Sequence, residues 1–287
     1  MRRPGALTAI VAGVLVVALV AACGTDDGPP TAAGPDPGRV GPQGRVAQFV
    51  VECELSHMAF DDPIVLPWQP GQSHQHMFFG NRDVTSDPTY GDLLGADTTC
   101  AQRRDTASYW APALLDRSGR LIEPTGLSAY YRPGRGIAPA EIVAYPEGLM
   151  LIGGDSTADD TQRTDVVAWS CGTGAARDAT PQQCGAGTSL RLLVTFPDCW
   201  DGERLTGFGS SRHARYSDGG CPESHPVALP QLTLGIDFPP VDPRGLSLSS
   251  GDIRTAHADF WNVWDQDKLV EEVTMCLNRD LVCGLAG

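Results

Sequence analysis

The sequence predicts an all-β dominated protein: a single β-sandwich of jelly-roll-like form with long loops, disulfides and one short C-terminal helix. Three observations carry that prediction. Apolar residues alternate with period two in several short runs, the spacing that places them on one face of a strand. Breaks are frequent, with 33 Gly and 23 Pro in 287 residues, and turn residues between such runs are typical of sandwiches and barrels. Long helical periodicity is nearly absent.

In chain order, the strand candidates begin with Ala47 to Val51. Leu127 to Tyr131, Leu149 to Ile152 and Val166 to Cys171 follow. The clearest two come next. Leu190, Leu192, Val194 and Phe196 share one face, as do Leu232, Leu234, Ile236 and Phe238. Near the C-terminus the period changes. Leu269, Val270, Val273, Cys276 and Leu277 follow helical spacing, which predicts an amphipathic helix of about three turns. Asp265 or Asp267 can cap its N-terminus.

The first 22 residues read as an export signal. Arg2 and Arg3 precede an apolar run from Ala6 to Ala22, and Cys23 follows the small residues Ala21 and Ala22. The pattern resembles a bacterial lipoprotein signal, in which Cys23 is lipidated and becomes the mature N-terminus. The alternative is an uncleaved anchor, although the run is slightly short for a span of about 20 residues. Residues 23–44 form the lipidated Cys and a Gly/Pro-rich tether, too poor in hydrophobes to offset its ordering entropy. Residues 45–287 are the globular domain, expected to lie outside the cell membrane and held to it by lipid.

The formal charge is −14. Such a field repels phosphate backbones and argues against nucleic acid as a partner. Nothing in the sequence calls for an oligomer, so a monomer is expected. With Cys23 assigned to lipid, eight cysteines remain: Cys53, Cys100, Cys171, Cys184, Cys199, Cys221, Cys276 and Cys283. An even count in an exported chain reads as disulfides. Pairing along the chain is the simplest of many connectivities, each loop contributing about 2–4 kcal/mol. A zinc site built on these cysteines is disfavoured by the absence of any C-x-x-C pair.

Three polar clusters could carry chemistry. The first holds Asp61, Asp62, His74 and His76. On extended backbone His74 and His76 point to the same side, where two imidazoles could hold a divalent metal or a substrate anion. No other cofactor is indicated. The second runs from Phe196 through Asp201 and Gly202 to His213 and His225, tied by a Cys199–Cys221 bond, with Asp201 read as a turn residue. In the third, His257, Asp259 and Trp261 share a face if extended. A carboxylate beside an imidazole can orient it as a base, and an aromatic plate suits a pyranose ring. The chain contains no G-x-S-x-G, H-E-x-x-H or Walker sequence.

At these clusters the chain resembles the DUF1996 family of secreted proteins of unknown function. The matching elements are Asp62-Pro63-Ile64, Ser73 with His74, His76 and Gly80, and Ser108-Tyr109-Trp110 with Pro112. Tyr130-Tyr131, Phe196-Pro197, Cys199-Trp200-Asp201-Gly202, Cys221-Pro222, His225-Pro226 and His257 with Asp259-Phe260 complete the set. Val263 stands where a small Gly is expected. The resemblance implies no settled activity, but carbohydrate-binding modules in fungal relatives point toward polysaccharide as the ligand. The leading expectation is a surface lipoprotein acting on polysaccharide as a hydrolase or lyase. His74, His76, His257, Asp259 and Asp62 would be its catalytic residues, and Trp110, Tyr131, Trp261 and His213 would contact substrate. The alternative is a non-catalytic binder of glycan or of a divalent metal. The sharpest expectation is that His74, His76, His257 and Asp259 share one cleft.

Overall fold

Alternating hydrophobicity becomes two packed sheets. The computed structural model describes residues 46–173, 176–207 and 212–285. In chain order its strands are β1 (Gln48–Cys53), β2 (Leu55–Ala59), β3 (His76–Gly80), β4 (Ser108–Pro112), β5 (Leu114–Leu115) and β6 (Leu121–Ile122). Then come β7 (Gly126–Arg132), β8 (Met150–Gly154), β9 (Val167–Cys171), β10 (Leu190–Thr195), β11 (Cys199–Trp200) and β12 (Ala214–Arg215). The last are β13 (Val227–Ala228), β14 (Gln231–Phe238), β15 (Ser247–Leu248), β16 (His257–Trp261) and β17 (Val282–Leu285). A six-stranded sheet has the order β17-β1-β7-β14-β10-β9, and a five-stranded sheet the order β2-β3-β4-β16-β8. Two three-stranded sheets of short strands flank them.

The two large sheets bury their facing sides against each other. Phe49, Tyr131, Leu192, Leu234 and Trp169 from the six-stranded sheet join Met77, Phe79, Tyr109, Leu151 and Phe260 from the five-stranded one in a single core. The Tyr109 and Tyr131 hydroxyls meet across the interface at 2.6 Å. The five-stranded sheet also buries its outer face. There Phe78, Trp110, Trp261 and Val263 pack with Ile64, Val84 and Leu93 from the connecting segments. Strands β3, β4 and β16 are therefore buried on both sides along their whole length.

Four disulfides join the cysteines in chain order: Cys53–Cys100, Cys171–Cys184, Cys199–Cys221 and Cys276–Cys283. The predicted C-terminal helix is present, with a local departure in its last turn. A regular α-helix, α2 (Gln266–Glu272), follows the four-residue α1 (Tyr90–Leu93), but its continuation Val273–Leu277 is a π-helical turn. Leu269, Val273, Cys276 and Leu277 are buried, while Val270, in α2 ahead of that turn, is 45% exposed. Asp265 is the N-cap, accepting from the Lys268 N–H, and Asp267 lies in the first turn. Among the described residues no helix is long and apolar enough to cross a membrane. The expected signal (1–22), the tether (23–44) and Cys23 lie outside the described residues.

Candidate functional site

A histidine cluster forms on the outer face of the five-stranded sheet. His76 opens β3 and pairs with Pro112 of β4. His257 opens β16, which pairs with β4 on the other side. Running the register back from Asp259 opposite Trp110 places His257 in the same row as His76, one strand apart. His74, two residues before β3, joins them. The ring centroids stand 4.2 Å apart for His74 and His76, 5.2 Å for His74 and His257, and 6.1 Å for His76 and His257. One nitrogen from each ring lies within 4.8 Å of the others. The segments are about 180 residues apart in sequence, and β4 brings them together.

Backbone carbonyls fix two of the three tautomers. His76 donates from Nδ1 to the Asp61 carbonyl at 2.8 Å, and His257 donates from Nδ1 to the Thr255 carbonyl at 2.8 Å. A ring that donates from Nδ1 carries its lone pair on Nε2. His76 Nε2 is buried without a partner, and so is His74 Nε2. Burial makes protonation costly at all three. It depresses His74, and it pushes His76 well below the ordinary imidazole value, helped by its two neighbours. His257 falls to about 4, chiefly through burial. Neutral imidazole is the form in which histidine binds a metal, and here three such rings each bring a nitrogen within 4.8 Å of the others.

Two carboxyl groups stand beside the cluster, outside the group of mutually close nitrogens. Asp62 uses Oδ1 to accept the N–H groups of Ile64 and Val65 at 3.0 and 2.9 Å, closing the turn that lays Ile64 on the sheet. Its charge acts on both His257 and Asp259. Asp259 is 1% exposed, and both its oxygens lack a partner. Burial, then the nearby Asp62, raises Asp259 well above the usual carboxylate range.

The residues expected to contact substrate are placed differently. Trp110 and Trp261 share the outer face with the histidines, but at 0% and 4% exposure they are walls, not open platforms for a sugar ring. Tyr131 lies in the sandwich core, stacked on Phe49 at 4.5 Å with its hydroxyl on Tyr109 and Trp264, and has no access to the cluster. Both ring nitrogens of His213 face backbone carbonyls, Met150 at 2.7 Å and Gly207 at 3.1 Å, leaving none for a ligand. Asp201 is the turn residue expected: its Oδ1 accepts the N–H groups of Glu203 and Arg204. A cavity of about 290 Å³ borders β8, which pairs with β16. Asp155, Ser156, Thr157 and Arg212 line it. Sequence reasoning missed the orienting carbonyls of Asp61 and Thr255, because a backbone acceptor leaves no residue-type signal. Ser108 was named only within the family match and not as a site residue; it pairs with Trp261, two residues along β16 from Asp259.

The DUF1996 family, described as a domain of unknown function, has a model that matches residues 62–264. That span contains every residue of the histidine cluster and both carboxyl groups. The chain belongs to the DUF1996 family. Neither a curated protein nor a solved structure matches it. In this DUF1996 member, four of the elements that carried the resemblance in sequence, at residues 62–64, 73–80, 108–112 and 257–260, build the five-stranded sheet and the turn packed on its outer face, while the others lie in the core and in the Cys199–Cys221 region.

Proposed function

We propose that this DUF1996 domain is an extracytoplasmic metal protein in which His74, His76 and His257 bind one first-row transition-metal ion. The supporting observation is the convergence of three imidazoles, two of them held by carbonyls that take the Nδ1–H and so leave the lone pair on Nε2. Imidazole donors suit zinc, copper, nickel or iron, whereas calcium and magnesium prefer oxygen ligands. Tetrahedral ligation at about 2.0–2.1 Å spaces nitrogens about 3.4 Å apart, so modest ring rotations close the site. Carbonyl-anchored Nδ1–H groups are the outer-shell contacts that orient histidine ligands in metal centres.

Three protein ligands leave a coordination position free, as in catalytic rather than structural zinc sites. Bound there, an ion would supply Lewis acidity or an activated water. The chain's own part is to hold the imidazoles neutral, keep bulk water away from His76 and His257, and present Asp62 and Asp259 beside them. Action on polysaccharide rests on the family resemblance. The cavity of about 290 Å³ beside β8 has a carboxylate, hydroxyl and guanidinium lining of the kind that pairs with sugar hydroxyls. Four disulfides fit a chain that matures in an oxidising compartment, and lipidation of Cys23 would hold it at the membrane surface.

Calorimetric titration of metal-free protein with Zn2+ tests the reading. One ion per chain should bind, and His76→Ala and His257→Ala should each weaken binding by at least about 100-fold. His57→Ala, which alters a ring stacked on Phe78 at 4.7 Å on the same face, should leave affinity unchanged. Equal affinity in all four proteins would refute the tri-histidine site.

A further inference from the structure

Next to the histidines, the outer face of the sheet carries a set of buried polar atoms that find no hydrogen-bond partner among the described residues. Asp259 of β16 pairs with Trp110 of β4, and Trp261 pairs with Ser108. Period-two alternation puts all four side chains on the face that bears His76 and His257. Both Asp259 oxygens, the Nε1 atoms of Trp110 and Trp261, and Ser108 Oγ are buried without a hydrogen-bond partner. Exposure is 1% for Asp259, 0% for Trp110, 4% for Trp261 and 0% for Ser108. Apolar walls surround them: Phe78, Val84, Leu93 and Val263, with Met150 and Ile152 partly buried alongside.

A buried polar group left unpaired costs about 1–3 kcal/mol, and native interiors hold few such groups. Five such atoms in two adjacent register rows therefore mark a place for a polar occupant. The set is chemically specific. The indoles only donate, and carboxyl oxygens chiefly accept. A hydroxyl oxygen satisfies both, donating to Asp259 while accepting from an indole N–H. A halide or azide can only accept, and would leave at least one Asp259 oxygen, the carbonyl oxygen where the carboxyl carries a proton, unpaired.

Building on the tri-histidine reading, we propose that Asp259, Trp110, Trp261 and Ser108 form a closed chamber into which the free coordination position of the ion opens. Its occupant is a small hydroxyl-bearing oxygen ligand: water at rest, and a hydroxyl group of the substrate during binding. Asp259 acts as a positioning residue that holds this ligand by hydrogen bonding, and the chamber discriminates against ligands that cannot donate. Polymeric substrates would reach it only by presenting a single hydroxyl past His74, the least buried of the three histidines.

Cobalt(II) substitution of the full chain tests this, because the visible spectrum of Co2+ reports its coordination number and exogenous ligand. Wild-type protein should bind Co2+ and resist azide. Asp259→Asn is isosteric, and its amide can donate to an anion. It should retain Co2+, shift the visible bands and bind azide at least about tenfold more tightly. Trp261→Phe keeps the ring but deletes one N–H, and should shift the bands without loss of Co2+. If both variants bind Co2+ with wild-type spectra and azide affinity within about twofold, the chamber is overturned and the metal site stands. If wild-type protein fails to bind Co2+, both readings fall together.

Discussion

His76 shows how much work one side chain can need from its surroundings. It has no exposed surface, yet its Nδ1–H finds the Asp61 carbonyl and its other nitrogen faces two further imidazoles. Asp105 is a second buried group with a measurable consequence. It is wholly buried, accepts from the Tyr109 hydroxyl at 2.6 Å and from the Ala107 N–H at 3.0 Å, and lies beside the Cys53–Cys100 bond. Burial raises its pKa from 3.8 to about 8, against the pull of those two hydrogen bonds. Between these values the folded chain keeps a proton that the unfolded chain has released, so stability falls as pH rises through that window. The slope should reach about 1.4 kcal/mol per pH unit at most. Asp105→Asn keeps the shape and one acceptor oxygen, its amide NH2 donating where the other oxygen accepted, and removes the ionisation, so urea midpoints measured across the window should flatten. A variant with the wild-type slope would show that Asp105 does not titrate there. At this scale the sequence was partly legible. The H-x-H spacing and the His257–Asp259 alternation displayed the site residues, but a partner such as the Thr255 carbonyl carries no identity in a sequence.

Strands β4 and β16 hold the site together, and both are buried on two faces. β10 and β14 are also largely buried, but their apolar residues still alternate with Arg191, Thr195, Thr233 and Gly235, whereas β3 and β4 carry the consecutive aromatics Phe78-Phe79 and Tyr109-Trp110 and show no period of two. The C-terminal helix was legible in its cap and apolar spacing. Its π-helical turn was not, because the altered period depends on packing rather than on local composition. Close fit at the sheet edge makes a prediction. Gly154 of β8 pairs with His257 at φ +80°, and a Cβ there would lie 2.6 Å from the Ala256 carbonyl oxygen and 3.0 Å from His257 Cα. Gly154→Ala should cost about 1–3 kcal/mol in urea unfolding and weaken metal binding by displacing His257. A variant within about 0.5 kcal/mol of wild type would mean that the edge yields without moving the histidine.

The molecule as a whole is stapled at four points, and its fold class follows from runs of alternating residues that form the core of the six-stranded sheet. The Cys53–Cys100 bond closes 47 residues and ties β1 to the segment before β4. Replacing both cysteines by Ala should cost about 2–5 kcal/mol, and counting thiols on the denatured, unreduced chain should find none among the eight. Two or more free thiols would contradict the disulfide framework. Lipid attachment is tested by Cys23→Ser: the variant should leave the membrane fraction, and retention after signal cleavage would rule the lipid out. The meeting of residue 76 with residue 257, expected from the paired i, i+2 polar spacings, is made by β4, a strand that alternation did not reveal and that pairs with both β3 and β16.

X-ray absorption spectroscopy at the zinc edge of Zn2+-loaded protein tests the central claim most directly. Three imidazole ligands should appear, with nitrogens at about 2.0–2.1 Å and the outer-shell scattering of the rings, together with one light oxygen ligand. A spectrum without imidazole scattering, or one dominated by carboxylate and water oxygens, would contradict the tri-histidine centre.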